Sequence, residues 1–300
     1  MNVGVFLFST PYTTHPADVA RKAESLGFES LWMGEHPIIP IQTTTSYPLT
    51  EDGRIPDFYS HLADPWIGLA SAAAVTTTLK LGTGVCLVTE RNPILLAKEI
   101  ATLDHLSEGR VVLGVGAGWL KEEVEIMGAN FSQRWLRLRE SVEAMRELWT
   151  KEEAEYHGQV IDFPAVRCIP KPIQKPYPPV LLGSHGAKGL QRVARWADGW
   201  CPLAPGPKVL RKSLQTLKHL MEEAGRDFCA LHVSVCLGEQ DGQPCADLIK
   251  QYEDAGAQRV IIMLGHEAGS LAFRHVHFFE PDETDGILER LAENSVAKLS

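Results

Sequence analysis

The sequence predicts an α/β fold, a (β/α)8 TIM barrel formed by residues 1–300 as a single domain, with insertions after strands 2, 4 and 8. Short apolar runs alternate with helical segments eight times along the chain, which is the pattern of a parallel sheet covered by helices. A barrel of this kind typically needs ~250 residues, so the 300 residues suit one barrel with length left for loops.

The first half of the chain supplies four strands. Continuous apolar runs predict them, because a strand of a parallel sheet is buried on both faces. Asn92-Pro93 marks a helix start, with Asn as the N-cap and Pro at the first helical position. The predicted strands are Val3–Phe8, Glu29–Gly34, Leu79–Leu87 and Val111–Val115, and the predicted helices are Pro16–Leu26, Asp64–Thr77, Asn92 to the Ser107-Glu-Gly109 stop, Leu120–Met127 and Phe131–Trp149.

The second half repeats the alternation after a proline-dense insertion. This insertion, Tyr156–Pro179, contains one possible short strand at Val160–Phe163. The remaining predicted strands are Val180–Ser184, Gly199–Cys201, Leu231–Leu237 and Arg259–Leu264, and the remaining helices are Ala187–Trp196, Pro207–Ala224, Cys245–Asp254 and Glu283–Ala297.

The segment Pro37–Leu62 shows neither a helical nor a strand period. Prolines 37, 40, 48 and 56 exclude a continuous helix there. A long irregular loop in a compact domain is usually functional. We therefore interpret this segment as a lid or a substrate-binding loop.

Composition narrows the possible partners. The net charge of -9 without a basic block argues against nucleic acid or an anionic membrane surface as the main partner. No stretch approaches the ~20 apolar residues that span a bilayer, and the N-terminus lacks the basic region of a signal peptide. Six cysteines without a C-x-x-C pair make metal and disulfide frameworks weak interpretations. We expect a cytoplasmic protein whose partner is a small molecule.

The stretch Arg110–Trp119 contains three alternating glycines at the end of a predicted strand. Glycines there allow a flat ligand to approach the backbone, or they only permit tight packing inside a crowded barrel. The G-x-G-x-G spacing does not match the G-x-G-x-x-G fingerprint of a dinucleotide-binding fold.

Barrel active sites form at the carboxyl ends of the strands, so residues just past each apolar run are the candidates. Gly183-Ser-His-Gly186 opens a helix and suits a phosphate, although Ser184 could instead be a simple N-cap. His36 is either a proton-transfer group or a structural histidine. His275-Val-His277 resembles a metal pair without matching ligands, and no metal site is predicted.

Several motifs together resemble the bacterial luciferase-like monooxygenase superfamily, and more closely its branch of coenzyme F420-dependent oxidoreductases. These motifs are Leu31-Trp-Met-Gly-Glu-His36, Leu81-Gly-Thr-Gly-Val85, Asn92-Pro93 with Ala97-Lys98, Leu103-Asp104 with Ser107-Glu-Gly-Arg110, Gly114-Val-Gly-Ala-Gly-Trp119, Pro170-Lys-Pro172 and Ala197-Asp-Gly-Trp200. They extend along nearly the whole chain.

The resemblance implies a set of site residues. It implies Glu35 and His36 as the catalytic pair, with His36 exchanging a proton with the substrate oxygen, and a non-proline cis peptide at Gly84-Val85 behind the cofactor ring. The implied cofactor-binding residues are Phe8, Gly84, Val85, Gly116, Gly118, Trp119, Glu122, Gly183, Ser184, His185 and Gly186.

Two positions depart from the family patterns. Trp119 stands where the F420-dependent glucose-6-phosphate dehydrogenases have an acid, which argues against sugar-phosphate oxidation. Ala117 stands where luciferases tend to place an arginine for the FMN phosphate, which favours F420 over FMN.

We therefore expect hydride transfer between a small organic substrate and coenzyme F420. The alternatives are a luciferase-like monooxygenase that uses reduced FMN and oxygen, and a non-catalytic flavin-binding barrel. The small residues of the predicted helix Asp64–Thr77 suggest a homodimer.

Overall fold

The computed structural model describes residues 1–48, 52–237, 244–264 and 281–298. Within them a parallel sheet closes on itself, which confirms the predicted barrel. The strands in chain order are β1 (Asn2–Leu7), β2 (Ser30–Met33), β3 (Lys80–Thr83), β4 (Cys86–Leu87), β5 (Val111–Gly116), β6 (Ala154–His157), β7 (Asp162–Val166), β8 (Val180–Leu182), β9 (Gly199–Trp200), β10 (His232–Cys236) and β11 (Arg259–Met263).

The barrel has eight strand positions. Around it run β1, β2, β3, β5, β8, β9, β10 and β11, and β11 pairs with β1 to close the circle. Strand β4 pairs with β5 beyond the end of β3, so β3 and β4 occupy one position in succession. All of these pairings are parallel, so the carboxyl ends of the strands open on the same face of the barrel.

Helices cover the outside of the barrel and follow the predicted order. They are α1 (Pro16–Ser25), α2 (Pro65–Ala73), α3 (Pro93–Leu106), α4 (Lys121–Ile126), α5 (Arg134–Thr150), α6 (Gly186–Trp196), α7 (Pro207–Glu223), α8 (Ala246–Ala255) and α9 (Pro281–Asn294). The Asn92 side chain accepts from the amides of Ile94 and Leu95, so the predicted N-cap is confirmed. No helix in the described parts of the chain is both long and apolar enough to cross a membrane.

Two predicted elements differ from the structure. The apolar run Leu79–Leu87 is not one strand, because the chain breaks at the cis peptide between Gly84 and Val85. The strand predicted at Val160–Phe163 is wrong in its bounds, since the insertion forms an antiparallel hairpin of β6 and β7. The insertion predicted after the eighth strand, with His266, His275 and His277, lies outside the described residues.

One indole fills the middle of the barrel. Trp32 of β2 is fully buried, and its Nε1 donates to Ser30 Oγ at 2.8 Å. Glycines on the two neighbouring strands make room for its ring. An added Cβ at Gly4 of β1 or Gly82 of β3 would lie 3.1 or 2.4 Å from an atom of the ring. The interior above this indole is the space that remains open for a ligand.

The outer surfaces of α2 and α3 carry exposed apolar side chains. Ile67 is 74% exposed and Leu95 is 58% exposed. A second copy packed on these helices would bury both side chains, as the predicted homodimer requires. The dimer stays a prediction.

We expect the variant Gly82→Ala to be less stable by about 1–3 kcal/mol, because the new methyl group overpacks the Trp32 ring. Urea unfolding measures the difference. Gly286→Ala is the matched control, since its added Cβ meets only the flexible end of Arg290 at 3.5 Å within α9. That control should be about 0.5–1 kcal/mol more stable from helix propensity alone. Equal stability of Gly82→Ala and wild type would contradict the close packing around Trp32.

Candidate active site

A cavity of about 420 Å³ opens at the carboxyl end of the barrel, directly above Trp32. Small-molecule sites have volumes of roughly 300–1,000 Å³, so the space fits a planar ring system or a ring with a small substrate. The predicted site residues that line it are Phe8, Glu35, His36, Gly84, Val85, Gly116, Gly118, Trp119, Gly183, Ser184 and His185. Glu122 and Gly186 do not line it.

His36 is held at the cavity wall by a buried carboxylate. Its Nδ1 lies 2.7 Å from Oε2 of Glu123, whose side chain is fully buried in the first turn of α4. A carboxylate only accepts, so the neutral ring carries its proton on Nδ1 and leaves Nε2 as an acceptor. Trp119 Nε1 donates to that Nε2 at 3.4 Å, a long and weak bond. A substrate hydroxyl can displace it, and His36 can then exchange a proton with the substrate.

Glu35 has a different environment from its neighbour His36. It is buried, and Oε2 accepts from the Leu87 amide at 2.7 Å while Oε1 accepts from Arg91 Nε at 2.6 Å. Arg91 also pairs with Asp64. Burial acts to lower the pKa of Arg91, but the interactions with Glu35 and Asp64 outweigh it and raise that pKa. Both oxygens of Glu35 are therefore engaged in holding β4 and the following turn against β2. This geometry suits a residue that positions His36 better than one that exchanges protons.

A third carboxyl group, that of Glu90, lies behind the cavity wall. It is only 4% exposed, and neither of its oxygens has a hydrogen-bond partner among the described residues. Burial, followed by the negative charges of Glu123 and Glu35, raises the pKa of Glu90 to about 9. Glu90 is therefore a neutral acid at neutral pH.

The cavity wall next to His36 is aromatic. Tyr59 and Tyr47 share a hydrogen bond of 2.8 Å between their hydroxyl groups, and the Tyr59 ring packs edge-on against His36. Burial raises the pKa of Tyr59 to about 12, so its hydroxyl stays protonated. Further apolar side chains complete the lining: Phe6, Leu62, Leu87, Trp135, Leu203, Ile261 and Met263.

A surface suited to a flat ligand is formed where β4 begins and β5 and β8 end. The Gly84-Val85 peptide is cis, as the resemblance implied. An added Cβ at Gly116 or Gly183 would lie 2.5 or 2.8 Å from a methyl carbon of Val85. Because both neighbours lack side chains, the Val85 side chain lies between them, and the three residues together form one side of the cavity.

One end of the cavity has the features of an anion site. The hydroxyl of Ser184 is buried and has no hydrogen-bond partner among the described residues. Helix α6 begins just beyond it, and its N-cap residue His185 provides no side-chain hydrogen bond to the first turn. Unsatisfied amides at a helix start attract anions. Gly186 contributes space, since nothing lies within 4 Å of its added Cβ.

Glu122 serves the long loop. One of its oxygens, Oε1, accepts from the amide of Thr44 at 2.6 Å, from the Thr44 hydroxyl at 2.7 Å and from the Thr45 amide at 3.3 Å. The Thr44 hydroxyl and these amides lower the pKa of Glu122 to about 2. The predicted lid segment is thus tied to the turn that follows the glycine motif, and its Tyr47 and Tyr59 reach the cavity.

Sequence reasoning missed several residues of the site. Glu123 was not predicted, although it follows the predicted Glu122. Adjacent residues of a helix point about 100° apart, so the two side chains contact different parts of the structure. Glu90 and Arg91 belong to no recognised motif, so the sequence did not indicate them. They lie at the end of a 3₁₀ turn and directly after it. Among the described residues, no group of three or more His, Cys, Asp and Glu side chains could hold a metal ion.

These features define a barrel enzyme with a buried histidine–carboxylate pair beside a ring-sized cleft. Residues 1–275 match the family model described as luciferase-like monooxygenase. The chain belongs to this family and is an oxidoreductase of the luciferase-like class. An uncharacterized protein of Mycobacterium tuberculosis (strain H37Rv) is 40% identical over 263 residues, which cover 87% of this chain and 91% of that protein.

Two solved structures show the same fold. The monooxygenase RslO1 from Streptomyces bottropensis superposes with a TM-score of 0.76 at 20% identity, and the match covers 100% of both chains. The coenzyme F420-dependent tetrahydromethanopterin reductase from Methanopyrus kandleri gives a TM-score of 0.72 at 17% identity, over 100% of this chain and 99% of that one. At these identities the likeness concerns the fold alone.

We expect the variant Glu122→Ala to release the loop from α4. Hydrogen bonds to a charged group contribute about 1.5–3 kcal/mol, so amide hydrogen exchange at Thr44 and Thr45 should become about tenfold faster at pH 7. Glu125→Ala is the control, because Glu125 lies on the same helix and makes only a 3.9 Å contact with Lys121. Unchanged exchange in Glu122→Ala would show that the loop is held by its aromatic contacts instead.

Proposed function

We propose that this protein transfers a hydride between coenzyme F420 and a small, mostly apolar substrate that carries a carbonyl or hydroxyl group. The observation behind the proposal is the orientation of His36. Its Nε2 faces an apolar cavity while its Nδ1 is bound to Glu123. A single proton-transfer group beside a ring-sized space is what the interconversion of an alcohol and a ketone requires of a protein.

The protein atoms fit the ring of a deazaflavin. The Val85 side chain lies between Gly116 and Gly183, so a planar ring would rest on its methyl groups with no larger side chain from these two neighbours in the way. His36 and Trp119 border the same cavity, where they would meet the reactive edge of the ring and the substrate.

The cofactor phosphate has a suitable site at the start of α6. The buried hydroxyl of Ser184 supplies a donor that otherwise lacks a partner among the described residues, and the first-turn amides of the helix supply more. Phosphate at such a helix N-terminus is stabilised by both hydrogen bonds and the helix dipole.

Two arginines beside the cavity favour the longer anionic tail of F420 over the single phosphate of FMN. Arg192 lies 4.0 Å over the ring of Trp135, which lines the cavity, and Arg134 lies at the preceding residue. Burial and then the nearby charge of Arg192 lower the pKa of Arg134, whose Nε has no hydrogen-bond partner among the described residues. Carboxylates and phosphates are the groups that arginine binds best.

The chain's residues have distinct parts in the proposed reaction. F420, when bound, would supply the carbon that accepts or gives the hydride. Neutral His36 takes the hydroxyl proton on Nε2 as an alcohol is oxidised, and Glu123 stabilises the resulting imidazolium through Nδ1. In the reverse direction, protonated His36 returns that proton to the carbonyl oxygen. The apolar lining limits water at the reacting atoms.

The second candidate is an FMN-dependent monooxygenase. The description of the family favours it, and the Ser184 site suits any phosphate. Ala117 argues against it, because this buried position at the cavity offers no cation to FMN.

We expect purified protein to bind F420 and to turn over members of a panel of small secondary alcohols and ketones. In His36→Asn, turnover should fall about 10²–10⁴-fold while the Kd for F420 is unchanged, because asparagine can still donate to Glu123 but cannot exchange the proton. Cofactor absorbance measures the first quantity and fluorescence titration the second. The control is His61→Asn, an exposed histidine against Tyr12. Oxygen-dependent turnover with reduced FMN, without F420 binding, would establish the monooxygenase instead.

We expect Arg192→Met to weaken F420 binding about tenfold and FMN binding much less, because only F420 carries an anionic tail beyond its phosphate, which these arginines would bind. Methionine keeps the apolar contact with Trp135. Arg195→Met on the exposed side of the same helix is the matched control. Fluorescence titration of both cofactors against the three proteins measures the effect, and equal weakening of F420 by the two variants would refute the tail site.

A further inference from the structure

The buried acid Glu90 takes no part in the proposed hydride and proton transfer. Its carboxyl group lies directly beneath the glycine turn that lines the cavity. An added Cβ at Gly118 would lie 2.8 Å from Glu90 Oε1 and also 2.8 Å from a methyl carbon of Val124. Val124 follows Glu123 in α4, so one small space separates the Glu90 carboxyl from the turn that bears the partner of His36.

Charged groups reach Glu90 from each element around it. Glu123 approaches from α4, Glu35 from the end of β2, and Arg91 from the adjacent residue of the same turn. Helix α5 contributes Arg137, whose Nε donates to the carbonyl of Thr89 at 2.9 Å. Arg91 is engaged with Glu35 and Asp64, and among the described residues neither Arg91 nor Arg137 makes a hydrogen bond to Glu90.

Of the three buried acids Glu35, Glu90 and Glu123, two have a side-chain partner among the described residues. Glu35 has Arg91, and Glu123 has His36. Two carboxylates that lie close together cannot both ionise cheaply, so one of them keeps its proton. Glu90 is the member without any partner among the described residues.

We propose that Glu90 is a positioning residue of the active site: a neutral acid that confines the negative charge of the Glu90–Glu123 pair to Glu123, so that His36 keeps its proton on Nδ1 and presents Nε2 to the cavity. The role rests on the proposed function of His36 as the proton-transfer group. Ionisation of Glu90 places a second negative charge behind His36, favours the imidazolium and removes the free acceptor. Burial and the neighbouring carboxylates, which raise the pKa of Glu90 to about 9, set the pH at which this happens.

The first test needs no cofactor. Nuclear magnetic resonance follows the ring signals of His36 against pH in wild type, Glu90→Gln and Glu123→Gln, with His36→Asn to assign them. Glutamine resembles the neutral acid, so Glu90→Gln should leave these signals unchanged at pH 7 and abolish the inflection that ionisation of Glu90 should give them near pH 9 in wild type. Glu123→Gln should change the signals already at pH 7, because it removes the carboxylate bound to Nδ1.

Stability gives an independent readout of the same proton. A carboxyl group whose folded pKa is raised above its unfolded value of 4.5 stabilises the fold less and less as pH rises from about 4.5 to about 9. The melting temperature of Glu90→Gln relative to wild type should therefore increase between pH 5 and pH 9. Glu125→Gln is the control, because Glu125 is exposed on α4 and makes only a 3.9 Å contact with Lys121.

The outcomes separate the two proposals. A loss of imidazolium character in the His36 signals of Glu90→Gln at pH 7 would mean that Glu90 is already ionised at neutral pH, and it would overturn the inference. Persistence of the alkaline inflection in Glu90→Gln would overturn it as well. If both titrations behave as expected but no F420-dependent turnover is found, the charge arrangement stands and the proposed reaction fails.

Discussion

The packing of one indole inside the barrel determines where a ligand can bind. Trp32 occupies the interior, and the glycines at positions 4 and 82 leave the space that its ring needs, while an added Cβ at Gly114 would lie 2.0 Å from the carbonyl oxygen of Thr83. Gly114 therefore belongs to the core, while Gly116 and Gly118 of the same motif face the cavity. The two interpretations of the alternating glycines are each correct for part of the motif. Below Trp32 the barrel is filled like an ordinary core, and above it the carboxyl ends of the strands enclose the cleft.

Most of the fold could be predicted from the sequence because each βα unit has its own apolar run and helix signals. The failures arise where the backbone departs from a regular period. The run Leu79–Leu87 contains no proline and reads as one buried strand with glycines, yet its backbone breaks at Gly84-Val85. The hairpin strand Ala154–His157 is only four residues long, and alanine and glutamate are depleted in strands, so it carried little signal. Burial pattern predicts which residues are inside, but it cannot detect a change of chain direction between two buried residues.

The sequence predicted which loops form the site, but it did not predict which side chains interact there. Strand ends identified Glu35, His36 and Ser184 as neighbours of the cleft because parallel strands end on one face. In a short helix the sequence does not determine which residues face the site. The prediction named Glu122, and the residue that contacts His36 is its neighbour Glu123. The unpaired state of Glu90 depends on how Arg91 is shared among distant carboxylates. Such sharing is a property of the folded chain, and no local pattern encodes it.

The charge distribution around His36 suits proton transfer in an apolar cavity. Glu35 and Arg91 cancel each other, and Glu123 faces the imidazole while its carboxylate stays fully buried behind the wall. When His36 gains a proton, its new charge meets the existing charge of Glu123, so the pair becomes neutral overall and little solvent reorganisation is needed. A carboxylate placed directly in the cleft would attract water to the reacting atoms. Because the Glu123 carboxylate lies behind His36, only the imidazole faces the substrate. The cavity can therefore remain apolar while His36 exchanges a proton.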